Sequence, residues 1–185
     1  MENLNPILTE ADFQSEVFDL LAYVTGIEED RIFRGYQSRE VLPADDTFLI
    51  YTPILRKRIG SNLVTFDADD CDDDENGSWQ DSALVQIDVQ VDCYGEEAQA
   101  KAQGLEIFAH SSLCRNWLVK QGFGIRVLQC TEPVDATQVG ETDQYLPRWM
   151  VTLSICFKST LEQKEPWYEG FNFKGIKNID VYFNP

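Results

Sequence analysis

One segment in the middle of the chain alternates without a miss. From Val85 to Cys93, the odd positions Val85, Ile87, Val89, Val91 and Cys93 are apolar, while Gln86, Asp88, Gln90 and Asp92 are polar. A period of two is the pleat of a β-strand, with one face against a core and the other toward water or a polar partner. At about 3.3 Å per residue the strand is roughly 30 Å long, which is long for a small domain. Arg148 to Phe157 repeats the pattern, with Trp149, Val151, Leu153, Ile155 and Phe157 set against Met150, Thr152, Ser154 and Cys156. Two such strands commit the chain to a sheet.

Helices flank these strands. Thr9-Glu10-Ala11-Asp12 reads as a capping box. Phe13, Val17, Leu20, Leu21 and Val24 then recur at three- and four-residue steps, and Gly26 ends the run. The spacing predicts a helix over about residues 10–25. A second helix opens at Gly95-Glu96-Glu97, with acidic residues at its positive end. Its apolar face is Ala98, Ala102, Leu105, Ala109 and Leu113, widened by Phe108. His110-Ser111-Ser112 offers a break, with Ser111 or Ser112 capping a short helix that runs through Leu118 and stops at Gly122.

Shorter extended pieces complete the reading. Arg31–Arg34 is a candidate strand, Thr47–Ile59 is extended, and Pro53 marks an edge strand or a bulge because it donates no ladder hydrogen bond. Gly60-Ser61-Asn62 is expected to turn the chain into Leu63–Phe66. Gly124–Thr131 is a further strand, and Ile179–Phe183 a final one. Between residues 67 and 77 lies an acidic run, Asp67-Ala68-Asp69-Asp70-Cys71-Asp72-Asp73-Asp74-Glu75-Asn76-Gly77, which repels itself and so belongs in an exposed loop at the tip of a long hairpin. Strands grouped together, rather than alternating with helices, indicate an α+β fold: a mostly antiparallel sheet with two main helices packed on one face. With 185 residues, 43% of them hydrophobic, and no dividing linker, one domain is expected. The acidic run at 67–77 is then an insertion, and residues 160–185 form a C-terminal arm.

Charge narrows the partners. Thirty-two acidic and fifteen basic residues give a formal net charge of -17. Such a surface repels phosphate backbones, so ordinary nucleic-acid binding is disfavoured, although DNA sliding past without adhering is compatible. The five cysteines (Cys71, Cys93, Cys114, Cys130 and Cys156) are odd in number and contain no CxxC pair, which indicates reduced thiols rather than a disulfide framework or zinc site. The first residues lack a basic start followed by an apolar stretch, and no apolar run approaches the ~18 residues of a membrane span. A cytoplasmic site of synthesis and no membrane partner are therefore expected.

Catalytic motifs are missing from the sequence. His110 is the single histidine, at a helix end and without a nucleophile motif. Gly170–Asn178 imitates a phosphate loop, but Ile176 separates Gly175 from Lys177, Asn178 replaces the hydroxyl residue, and no helix follows. Asp72-x-Asp74-x-Asn76-Gly77 matches the first half of a calcium loop, but position twelve is Ala83 and strands flank it, so a solvated acidic tip accounts for it better. No catalytic residue, metal ligand or cofactor is assigned.

Several segments taken in order resemble a known family. They are Ile32-Phe33-Arg34-Gly35-Tyr36-Gln37, Pro43, the basic strand end Arg56-Lys57-Arg58-Ile59-Gly60, and Gln90-Val91-Asp92-Cys93-Tyr94-Gly95 running into a helix. Tyr145, Arg148-Trp149 and Asn178-Ile179-Asp180-Val181 follow. From about residue 12 to 183 the chain resembles the neck or tail terminator proteins of long-tailed bacteriophages. The resemblance implies a tail-terminator-like fold and a structural, non-enzymatic role in the virion. It implies a ring, usually of six copies, that caps the tail tube protein, docks to the neck or head-tail connector protein, and leaves a channel for DNA. Exposed aromatics are common interface anchors, which makes Trp167, Tyr168, Phe171 and Phe173 candidate contacts to a neighbouring subunit or partner. A head-side connector component, or a calcium-dependent binding module centred on 67–77, are the alternatives.

Overall fold

A computed structural model describes residues 10–36, 47–67, 76–139 and 145–166. Three long strands form its backbone: β2 (Phe48–Asp67), β3 (Asn76–Tyr94) and β8 (Arg148–Pro166). Ahead of them come helix α1 (Glu10–Thr25), a 3-10 turn at Glu29–Arg31, and strand β1 (Ile32–Arg34). Between β3 and β8 lie α2 (Ala98–Ala109), α3 (Ser112–Gln121), β4 (Ile125–Cys130) and three two-residue strands, β5 (Val134–Asp135), β6 (Gln138–Val139) and β7 (Tyr145–Leu146). The main sheet has the order β1-β2-β3-β8-β4, with β5 also pairing β8; β6 and β7 pair separately.

All pairings in the main sheet are antiparallel except β1 with β2, which run parallel from Ile32↔Leu49 to Arg34↔Tyr51. The expected α+β class holds, with a mixed sheet. Antiparallel pairing of the consecutive strands β2 and β3 makes them a hairpin whose connection is the acidic segment; residues 68–75 of that segment lie outside the described residues.

The alternation read from Val85 to Cys93 decides which face is buried. Val85, Ile87, Val89, Val91 and Cys93 join Val151, Leu153, Ile155 and Phe157 of β8 and Leu49 and Tyr51 of β2 in one core. α1 covers this face with Phe13, Val17, Leu20 and Leu21, α2 with Ala98, Ala102 and Leu105, and α3 with Cys114 and Leu118. α1 spans the residues its apolar spacing predicted and is followed by Gly26. The break after α2 is also where expected: the Ser111 hydroxyl accepts from the Cys114 amide, and α3 stops at Gly122.

The short helix expected after the break is the ten-residue α3, Ser112–Gln121, the third α-helix among the described residues. Two expectations are corrected. Leu113 does not continue the α2 face; it falls on the far side of the break and is 66% exposed. Gly60-Ser61-Asn62 does not turn the chain. β2 runs straight through it with a register shift between Ile59 and Leu63. Gly60 takes φ 76°, open to glycine at little cost, and the extra residues are absorbed as a bulge instead of a reversal. Pro53 likewise sits at a register shift, beyond the reach of β1, where its missing N–H leaves no ladder bond unmade.

Leu153 is 1% exposed at the centre of the core, while Ile107 on the outer side of α2 is 60% exposed. Leu153→Ala is expected to cost about 2–5 kcal/mol of unfolding free energy. Ile107→Ala should stay within about 0.5 kcal/mol. Chemical denaturation of the two variants beside the parent chain measures the difference.

Candidate assembly surfaces

The face of the sheet opposite α1, α2 and α3 is built from the polar half of the same alternation. Its rows, read across β2, β3 and β8, are Lys57–Gln86–Cys156, Leu55–Asp88–Ser154, Thr52–Gln90–Thr152 and Ile50–Asp92–Met150. Hydrogen bonds knit it together. Gln86 Nε2 and Ser154 Oγ each donate to Asp88 Oδ1 at 2.7 Å. Gln90 Nε2 donates to Asp92 Oδ2 at 2.9 Å. Arg148 donates to Asp92 Oδ1 from both Nε and Nη2, at 3.1 and 3.0 Å.

Asp92 is 4% exposed, so this ion pair is shielded from solvent on the carboxylate side. Arg148 also lies 5.6 Å from the centre of the Tyr94 ring, which stacks on Phe48 at 4.6 Å. Burial works against ionising Asp88, but the bonds from Gln86 and Ser154, together with the charge of Lys57, outweigh it and hold its carboxyl below the usual value.

Beyond the helix-covered region the three strands continue as an arm. The β3–β8 register is unbroken from Tyr94↔Arg148 to Asn76↔Pro166, and β2 accompanies it to Asp67↔Ser78. Ile59, Leu63, Val64, Leu84 and Leu161 are exposed along it, and Ile54 and Leu55 just before it. Leu63 and Leu84 share the face of Gln86 and Val64 and Leu161 the opposite one, so apolar side chains are exposed on both faces of the arm. Asp81, which pairs with Val64 and Leu161, has a buried Oδ1 that meets no hydrogen-bond donor among the described residues.

Chemical sites are poorly supported. His110 caps the end of α2, and its Nε2 sits 3.0 Å from the Cys130 carbonyl, with no nucleophile between. Burial pushes the thiols of Cys93 and Cys130 up to about 12 and that of Cys114 to about 11, so these are packing groups, not thiolates. A surface depression of about 380 Å³ is lined by Gln99, Gln103, Glu106, Glu132, Pro133 and Trp149, without a nucleophile. Among the described residues no three potential metal ligands cluster, and no helix is long and apolar enough to cross a membrane. Trp167, Tyr168, Phe171 and Phe173 lie outside the described residues, as do Pro43, the phosphate-loop imitation at 170–178 and the expected strand at 179–183. In the calcium-loop match, Asn76 and Gly77 open β3, while the positions before them are outside the described residues.

An arm and a polar ladder suit a structural component. The model of the phage neck terminator protein family matches residues 13–183. The chain belongs to that family. It is thus a structural phage neck protein of the virion. No curated protein matches it. The residues that carry the polar ladder were not singled out from sequence as a unit; the polar half of the alternation was their only signal. The basic tract Arg56–Arg58 was visible there, but only as a strand ending.

Asp88 gives a pH dependence. A carboxyl held below its unfolded value stabilises the fold above the ordinary carboxylate range, and that contribution is lost as pH falls through the folded value. The melting-temperature gap between the parent and Asp88→Asn should therefore be widest near neutral pH and narrow as pH is lowered to about 3.

Proposed function

We propose that this neck terminator forms a ring, of six copies, that caps the tail tube and joins it to the head-tail connector. The family match across nearly the whole chain carries this reading. Terminating a tube requires a surface that a growing end accepts and a second surface that does not accept another tube subunit. The helix-covered body and the exposed arm supply two unlike surfaces on one chain.

A channel through the ring must let DNA pass without holding it. The net charge of -17 supports this, since a protein binds a phosphate backbone by displacing counterions with lysines and arginines. The role is structural: the ring positions its neighbours and performs no reaction. Its assembly takes place in the host cytoplasm before the tail meets the filled head.

Mass measurement of the purified chain, alone and mixed with its tube protein, tests the reading. The expected outcome is a closed oligomer, formed alone or on the tube, together with tubes blocked at one end against further growth in electron micrographs. A chain that stays monomeric and never joins tubes contradicts it.

A further inference from the structure

Exposed charge of opposite sign lies at two separate levels of the sheet, one at its Phe48↔Tyr94 end and one midway along β2. Past the closing pair Phe48↔Tyr94 sit two exposed acidic turns: Glu28, Glu29 and Asp30 before β1, and Glu96 and Glu97 before α2. Glu28 is paired with Arg31 at 3.8 Å and Glu97 with Lys101 at 3.1 Å. Glu29, Asp30 and Glu96 make no ion pair among the described residues. At the root of the arm, Arg56, Lys57 and Arg58 are exposed, and Lys158, opposite Leu84, is exposed beside them. Arg58 donates to the Asn62 side chain, and none of the three makes an ion pair among the described residues. Ile54, Leu55 and Ile59 border this tract and are exposed too.

One molecule cannot bring these surfaces together. β1 is parallel to β2 with Ile32 opposite Leu49, so the acidic turn precedes that level while the basic tract lies in the other direction. From Leu49 to Arg56 the strand rises about 23 Å, beyond the ~8 Å over which salt leaves charges in contact at physiological strength. Lys57 shares the field of Asp88 within its own molecule, but the Glu28–Asp30 turn can reach Arg56–Arg58 only from another molecule. In a chain of net charge -17, a compact cationic tract with an apolar border fits the acidic end of a second copy.

We infer that Arg56, Lys57 and Arg58, with the apolar residues beside them, dock on the acidic end of the next copy around Glu28, Glu29 and Asp30. Each copy offers its basic root to one neighbour and its acidic end to another. Such a head-to-tail contact uses two different patches, and it closes into a ring when its rotation closes. The inference rests on the ring reading and assigns the surface through which the copies meet.

A charge swap tests it, read by mass in solution and by tube blocking. The triple variant Arg56→Glu, Lys57→Glu, Arg58→Glu places acid against acid and should weaken self-association by about a hundredfold or more. The variant Glu28→Lys, Glu29→Lys, Asp30→Lys should fail in the same way. A mixture of the two should restore both contacts between unlike copies, giving alternating oligomers with equal numbers of each variant, and a chain carrying all six changes should recover the parent oligomer. Near-UV circular dichroism confirms that each variant is folded. Parent-sized oligomers from either triple variant, or no rescue by the six-fold variant, overturn the inference while leaving the ring reading standing. A parent that stops at two copies overturns the head-to-tail order. Loss of DNA retention in the Arg56–Arg58 variant, with its mass unchanged, would assign the tract to DNA and overturn the inference as well. A parent that neither associates nor blocks tubes removes the ring reading itself.

Discussion

The ladder of backbone hydrogen bonds between β2, β3 and β8 is the constraint on which the rest of the molecule depends. Its register runs unbroken along β3 and β8, from Tyr94↔Arg148 to Asn76↔Pro166. A one-residue slip would turn Val85, Ile87, Val89 and Val91 to the open face and bring Asp88 and Asp92 under the helices. The apolar alternation therefore fixes the register where helices cover the sheet, and the ladder carries that register outward into the arm. Pairing on the polar face adds to this: the Asp88–Ser154 and Asp92–Arg148 contacts form only in this alignment. Because a buried polar group is costly unless paired, the ladder and its side-chain network select the same alignment.

Much of the covered half was legible in sequence. The strand at Val85–Cys93 and the helix at 10–25 each bury one face, and burial writes a period of two or of 3.6 into the residues. The break at His110-Ser111-Ser112 was legible through the capping chemistry of serine. The arm was not, since Gln80, Asp81 and Ser82 of β3 bury no continuous apolar face in the isolated chain and so leave no period to read. Gly60-Ser61-Asn62 carried the composition of a turn, while the conformation that glycine permits there serves a bulge equally well. The Asp88 and Asp92 networks join residues 66 and 56 positions apart, a pairing that only the fold supplies.

Function follows the same division. The resemblance legible in the sequence rests on segments that include the Gln90–Gly95 strand end entering α2 and the basic tract Arg56–Arg58, and the family match spans both halves. The covered half gives a rigid body, and the arm gives reach. Together they place cations midway along β2 and carboxylates at the Phe48↔Tyr94 end of the sheet, in a molecule whose total charge repels phosphate. Self-association of an acidic protein needs such local complementarity, because the averaged field between copies is repulsive.

A reconstruction of the phage neck at side-chain resolution would test this account most directly. It should show copies of this polypeptide around the central axis, with the root of each arm against the Glu28–Asp30 turn of the next copy and a negatively charged bore. Copies lying away from the axis, or a bore lined by lysine and arginine, would contradict it.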